Sequence, residues 1–321
     1  MNRTALNRTA LNSAAFWVGC VATIGLAYAA TVLVQNQYVF FAGYVVIQFV
    51  LLATAWNIAG GYAGYVNFGA SGFFGAGAYV AVASARAFTA PLGVQIACAA
   101  VTGAALGLAV AYLSARLRGV YYSIATIAVA VILEALVVNW SFVGGARGMS
   151  VARPPAPPGF NDYSAFLFVA MTVLAVAGVA ISRGIERSPV GRGLAAVRDN
   201  EMAAEACGVP TLTVKMVAIS ISGALMAVAG APYALYASYV DPSSAFNMNY
   251  SLAALAMPLL GGTSTWVGPV IGAMALAVVQ QLLTVFASAQ ISLLILGLIL
   301  VASVVFLPGG ALELGRRWKS A

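Results

Sequence analysis

The chain has 321 residues, of which 62% are hydrophobic and only 7% charged, where a soluble globular protein carries roughly 25% charged residues. So few charges cannot clothe a soluble protein of this length, so lipid is the solvent around most of it and an all-α bundle of membrane-crossing helices is expected. The formal net charge of +7 sits in short loops between apolar runs, where basic residues set topology rather than bind nucleic acid.

Histidine is absent, which removes Ser-His-Asp and Cys-His catalysis and every histidine-held metal site. The two lysines, Lys215 and Lys319, do not follow a glycine, so the Gly-Lys-Ser/Thr phosphate loop of an ATPase is missing. Cys20 and Cys98 lie in apolar runs and Cys207 in a charged loop, which is no disulfide framework. No catalytic set, cofactor or metal site is expected.

In chain order, the run at 14–34 follows a polar lead without a convincing cleavage site and reads as a retained first helix. A second span is placed at 38–58. The next, 66–86, overlaps GGYAGYVNFGASGFFGAGAY at 60–79. Its glycines allow two readings: close helix packing through small faces, or an unwound stretch facing a polar solute, with Asn67 and Ser71 offering hydrogen bonds. Spans follow at 92–114 and 119–140. The latter carries Glu134, the only acid deep in an apolar run; burying it costs roughly 2.5–3.5 kcal/mol on insertion scales, so it should face the bundle interior. It would serve either a substrate amine or partner subunit, or a contact between helices. Asn139 lies nearer the end of the same span.

Residues 141–163, with RPPAPPGF, read as an extended connection because the prolines forbid a regular helix. After a span at 164–182 comes the one long polar segment, 183–212. In it Ser188-Pro189 reads as a helix cap and first turn, and Val190, Leu194 and Val197 form one apolar stripe. Asp199 or Asn200 can cap a second short helix, which Gly208 and Pro210 end. Two short amphipathic helices are expected there, either resting on lipid or docking a cytoplasmic partner. A span at 213–238, a polar turn at 239–248 and spans at 249–261, 267–288 and 290–307 complete a set of about ten. Pro258, Gly261, Gly262, Gly268, Pro269 and Gly272 break helices within this last part. That suits either a site for a charged solute at broken helix ends or a tight hairpin.

With both termini inside, the inner face holds Arg3, Arg8, Arg116, Arg118, Arg183, Arg187, Arg192, Arg198, Lys215, Arg316, Arg317 and Lys319, and the outer face only Arg86, Arg147 and Arg153. The bias supports an even number of crossings and a single membrane domain over 1–321, with its cytoplasmic loop at 183–212.

Four blocks, in order, resemble the branched-chain amino acid permeases of bacterial ATP-driven importers, the LivM type: GYAGYVNFGASGFFGAGAY (61–79), GVYYSIATIAVAVILEALVVNW with GGARG (119–140 and 144–148), SPVGRGLAAVRDNEMAAEACGV (188–209) and MPLLGGTSTWVGPVIGA (257–273). The resemblance covers residues 38–308. It implies a transport subunit of the bacterial inner membrane without its own ATPase site. The implied partners are a second, related but different permease, two cytoplasmic ATPase subunits and a periplasmic binding protein. The block at 188–209 is similar to the loop that such permeases insert into a groove of the ATPase. This implies coupling through Gly191, Arg192, Arg198, Asp199, Glu201, Ala203, Ala204, Glu205 and Gly208. The implied substrate path takes in Asn67, Ser71, Glu134, Asn139, Pro258, Gly261 and Gly262. Many relatives carry Gln-x-Ser-x-Gly-His in the first block, where this chain has Tyr65, Asn67, Gly69 and Ala70. A related importer for urea or short amides is therefore an alternative. A stand-alone secondary transporter or channel is a rival of another class, although such proteins use several intramembrane ionisable groups and this chain offers only Glu134. A membrane enzyme is disfavoured by the lack of acid–base machinery.

Overall fold

The computed structural model describes residues 3–34, 36–114, 117, 119–286 and the single positions 295, 297, 298, 301 and 310. The first helices in the chain are α1 (Arg3–Leu33), α2 (Gln37–Gly60), α3 (Ala70–Phe88), α4 (Leu92–Leu113) and α5 (Val120–Val138). Two short 3-10 turns (Ser141–Val143 and Gly145–Arg147) and strand β1 (Met149–Ser150) lead to α6 (Tyr163–Arg187). Then come α7 (Pro189–Asp199), α8 (Glu201–Ala206), α9 (Thr211–Gly230), α10 (Tyr233–Ala237), strand β2 (Tyr239–Val240), α11 (Pro242–Ala245), α12 (Met248–Gly261) and α13 (Val267–Phe286).

Among the described residues, seven helical segments are long and apolar enough to cross a bilayer: Ser13–Leu33, Gln37–Gly60, Leu92–Leu113, Val120–Val138, Tyr163–Arg187, Thr211–Ala237 and Val267–Thr284. The molecule is thus a multi-pass membrane helix bundle. The expected span at 290–307 lies outside the described residues, as do the basic positions 316, 317 and 319. The expected spans at 66–86 and 249–261 correspond to α3 and α12, neither of which is among the seven. α3 starts only at Ala70, because residues 64–69 are not helical, and α12 is 14 residues long. The expected end of the sixth span at 182 was too early. α6 continues to Arg187 because Ser182, Arg183 and Ile185 stay buried against neighbouring helices.

α9 is the hub, packing on α2, α3 and α4. Small residues set those distances. A Cβ on Gly77 of α3 would fall on the Ala227 carbonyl of α9, and one on Gly107 of α4 would lie 2.6 Å from the Ile219 carbonyl of α9. Backbones touch, which is how helices gain dispersion contact where lipid removes the hydrophobic drive to associate. Around this hub Trp56, Tyr44, Tyr79, Tyr122, Phe73 and Phe74 are fully buried. Buried polar groups reach across to backbone: Gln48 Nε2 donates to the Ala229 carbonyl (3.0 Å), and Ser222 Oγ to the Ala55 carbonyl (2.7 Å).

The bundle is not purely α. The segments expected as an extended connection and a polar turn pair with each other, Met149 with Val240 and Ser150 with Tyr239, antiparallel. Tyr239 Oη donates to the Arg147 carbonyl (2.5 Å), and Arg153 donates to the Leu235 carbonyl (2.8 Å). Two loops far apart in sequence thus close into one seam at the end of the bundle opposite α7 and α8.

Candidate functional site

α7 and α8 are built locally. Ser188 Oγ accepts from the Gly191 N–H (3.2 Å) and caps α7, with Pro189 in its first turn. Asn200 Oδ1 accepts from the Ala203 N–H (3.1 Å) and caps α8. Of the two candidate caps, Asn200 is the one used. α8 ends at Ala206, and the chain turns away through Gly208, whose φ of +83° is accessible to glycine at little cost. Leu194 and Val197 of α7 and Ala204 of α8 are buried. This turns the opposite edge outward: Arg192, Asp199, Ala203 and Glu205 are exposed, and Met202 is 66% exposed.

The inner edge is held fast to the glycine-rich block. Arg198 Nη1 donates to the Gly61 carbonyl (3.1 Å), and Arg198 Cγ would meet a Cβ on Gly64, itself at φ +77°, at 3.0 Å. Tyr65 Oη donates to Glu201 Oε2 (3.1 Å). Glu201 Oε1 pairs with the buried Lys215 Nζ at the start of α9. That ammonium stands 4.7 Å from the centroid of the Tyr65 ring. Glu205 Oε1 accepts from the Thr211 hydroxyl (2.7 Å).

Residues 64–69 run without helix across this junction, and side chains satisfy much of their backbone. Trp56 Nε1 donates to the Asn67 carbonyl (2.7 Å), Ser123 Oγ to the Val66 carbonyl (2.8 Å), and the Phe68 N–H to Thr126 Oγ1 (3.1 Å). Irregular backbone in a membrane protein survives where protein covers it. Where α3 begins, the Ser71 N–H donates to Ser251 Oγ of α12 (2.9 Å), and the two hydroxyls are 3.0 Å apart. A cavity of about 400 Å³ opens between this strand, the start of α5 and α7–α8, lined by Tyr65, Val66, Ser123, Val197, Arg198 and Glu201 among others.

A family model described as the branched-chain amino acid transport system permease component matches residues 38–304. The chain belongs to this permease family. It is 26% identical over 293 residues to the high-affinity branched-chain amino acid transport system permease protein LivM of Salmonella typhimurium, and likewise to LivM of Escherichia coli, each match spanning 84% of this chain and 68% of the relative. A probable branched-chain amino acid transport permease protein LivM of Methanocaldococcus jannaschii is 26% identical over 191 residues, 59% of this chain and 55% of the relative. No solved structure matches.

The permease gathers the coupling-loop residues and the glycine-rich block into one assembly, and leaves the other expected path residues apart. Asn67 is buried, and its Oδ1 accepts from the Gly69 N–H (2.7 Å). Glu134 is half-buried on α5, at the edge of the face formed by Tyr122, Thr126, Ala130 and Val137. Asn139 is exposed and donates to the Ala135 carbonyl (2.8 Å) at the end of its own helix. Pro258, Gly261 and Gly262 form the end of α12 and its turn into α13. A Cβ on Gly261 would fall on the Gly268 carbonyl, so the hairpin packs backbone on backbone. In the glycine block, 70–79 is helix packed through Gly72, Gly75 and Gly77, and 64–69 is not helical.

The sequence reasoning passed over Tyr62, Ser182 and Glu186, and gave Lys215 only a place among the inner-face cations. Tyr62 Oη and Ser182 Oγ lie 2.9 Å apart. Glu186 Oε2 accepts from Tyr62 Oη (3.3 Å) and from the Trp266 N–H (2.7 Å), tying α6 to the turn before α13. A signal existed: Lys215 stands alone at the head of an apolar run, where a cation needs a partner.

Proposed function

We propose that this chain is the permease subunit of an ATP-driven importer of branched-chain or similar aliphatic amino acids. It works in the bacterial inner membrane with a second, different permease, two cytoplasmic ATPase subunits and a periplasmic binding protein. Both termini and the segment at 183–212 lie inside, on a single domain of about ten crossings. The observation that carries this reading is the two-edged form of α7–α8. One edge, with Arg192, Asp199, Met202, Ala203 and Glu205, is exposed on the surface where a partner could dock. The other is hydrogen-bonded through Arg198 and Glu201 to the unwound strand.

ATP binding would move the ATPase subunits and with them α7–α8. The displacement would pass through Tyr65 and Gly61 to residues 61–69, and through Ser71 and Ser251 to α3 and α12. The substrate path runs beside these elements, with Glu134 on α5 offering a carboxylate for an amino group. Two short helices on one rigid contact transmit displacement better than a loop could, because packed elements move as bodies.

Purified permease, reconstituted in vesicles with its partner subunits and binding protein, should take up leucine only with ATP. Ion-gradient-driven leucine uptake by the chain alone would overturn the proposal.

A further inference from the structure

Two glycine-bearing breaks in the helical chain, 61–69 between α2 and α3 and 262–266 between α12 and α13, touch each other. A Cβ on Gly61 would lie 2.7 Å from the Thr263 carbonyl. Glu186, in the last turn of α6, bonds to both. Its Oε2 accepts from the Trp266 N–H of the second break (2.7 Å) and from Tyr62 Oη of the first (3.3 Å). Ser182, one turn earlier on α6 and wholly buried, places its hydroxyl 2.9 Å from that of Tyr62. Tyr62 has a single hydroxyl hydrogen; given to Glu186, it leaves Ser182 as the donor between the two. A carboxylate acceptor makes such bonds roughly twice as strong as neutral ones.

Glu186 also sits where α6 becomes α7. One residue, Ser188, ends the first helix and caps the second, and its hydroxyl donates back to the Ile185 carbonyl (2.8 Å). α7 folds onto this corner backbone to backbone. A Cβ on Gly191 would fall on the Ile185 carbonyl and lie 2.9 Å from that of Glu186. Near its far end, Arg198 donates to the Gly61 carbonyl (3.1 Å). α7 has 11 residues and is about 16 Å long. It is therefore fastened at both ends to adjacent residues, Gly61 and Tyr62, and at the α6 end to Trp266 as well. The second break is equally tight. A Cβ on Gly261 would fall on the Gly268 carbonyl, and one on Gly272 on the Met257 carbonyl. Packed in this way, the turn moves as a body with α12 and α13.

We propose that Glu186 is a positioning residue for transport. It clamps the two breaks together, so that a displacement of α7 reaches α12 and α13 as well as the segment at 61–69. The clamp rests on the transport reading above and adds a second route to it, one that bypasses Tyr65, Glu201 and the Ser71–Ser251 contact.

Permease, ATPase subunits and binding protein, reconstituted together in vesicles, allow leucine uptake and ATP hydrolysis to be measured at once. Glu186→Ala removes both bonds, and Tyr62→Phe only the hydroxyl arm. Glu186→Gln keeps an acceptor of the same reach for the Trp266 N–H. A permease that is merely less stable gives fewer intact complexes, which lowers uptake and hydrolysis in proportion and leaves their ratio alone. Loss of the clamp should lower the ratio itself, by about fivefold or more in Glu186→Ala, the lower end of coupling between sites. The fall should be smaller in Tyr62→Phe, and Glu186→Gln should restore most of the wild-type ratio. An unchanged ratio in Glu186→Ala, or a Glu186→Gln ratio as low as that of the alanine variant, would overturn the clamp. ATP-dependent uptake by the wild type would leave the importer reading standing in that case. If Glu186→Ala does not assemble, Tyr62→Phe decides: a lowered ratio supports the clamp and a wild-type ratio overturns it. A wild type without ATP-dependent leucine uptake would remove the importer reading, and the clamp with it.

Discussion

Lys215 is the residue on which the inner junction turns. Its side chain is almost wholly buried, and its charge is met by Glu201, over the face of Tyr65. Desolvating two charges is expensive, and the pair is favourable only while both members and their hydrogen bonds are present. Removing Lys215 leaves the mostly buried Glu201 carboxylate without its cation. Lys215→Met should therefore destabilise the permease by about 3 kcal/mol. The double variant Lys215→Met with Glu201→Met should recover most of that loss, because no charge is left stranded. The two effects separate in function. If the pair carries displacement from α8 to the strand at 64–69, the double variant should be stable, bind the ATPase subunits, and hydrolyse ATP without matching leucine uptake. Thermal unfolding and the ratio of uptake to hydrolysis decide this. A stable double variant with wild-type coupling would remove Glu201 from the transmission route. Tyr65→Phe makes a gentler probe. It keeps the ring under the ammonium and deletes only the hydroxyl that donates to Glu201, so coupling should fall while stability changes by no more than about 1 kcal/mol.

Elements in this molecule are defined more by what ends them than by their apolar content. Serine before proline and asparagine before a Glu-Met-Ala-Ala run announced α7 and α8 from local chemistry, since a cap acts on the next turn of its own chain. The seven long apolar segments were equally legible, because lipid demands about 20 apolar residues per crossing. The pairing of β1 with β2 was not. It joins residues some ninety positions apart, and four short residues carry no periodicity to read. The knot of Tyr62, Ser182, Glu186 and Trp266 escaped for the same reason, as its members come from three separate segments. Inside the outer seam, α11 rests on Asp241, whose carboxylate accepts from the Ser244 N–H (3.1 Å) and from Ser243. Partial burial would raise its pKa, but these hydrogen bonds outweigh burial and hold it below the ordinary aspartate value. A carboxyl with a lowered folded-state pKa stabilises fully above its unfolded value and loses that contribution as pH falls through the folded one. Exchange protection of amides 239–246 should therefore decline as the medium is acidified below the usual carboxylate range. Asp241→Ala should remove about 1 kcal/mol of local protection at neutral pH and flatten the decline. Hydrogen-exchange protection factors, corrected for intrinsic rates, would show it; an unchanged acid profile in Asp241→Ala would locate the titration elsewhere.

At the scale of the whole molecule, orientation decides whether the parts can work together. The junction of α7–α8 with the glycine-rich strand lies at one end of the bundle, and the β1–β2 seam at the other. If the positive-inside bias sets the topology, the first end faces the cytosol, where the proposed ATPase subunits would dock, and the second faces the outside. The three cysteines make this measurable without adding any residue. Cys207 is exposed immediately after α8, whereas Cys20 and Cys98 are only partly exposed and lie within the membrane-crossing segments Ser13–Leu33 and Leu92–Leu113. A thiol becomes reactive as its thiolate, which needs water to form, so a membrane-impermeant maleimide should modify Cys207 alone. It should do so in inverted vesicles and not in intact cells. Bound ATPase subunits should then shield Cys207, since it follows directly on the exposed edge that carries Met202 and Ala203. Labelling from the cell exterior would invert the topology and place α7–α8 out of reach of any ATP-driven partner. Labelling from the cytosol that is indifferent to added ATPase subunits would keep the orientation and remove that edge as the docking surface.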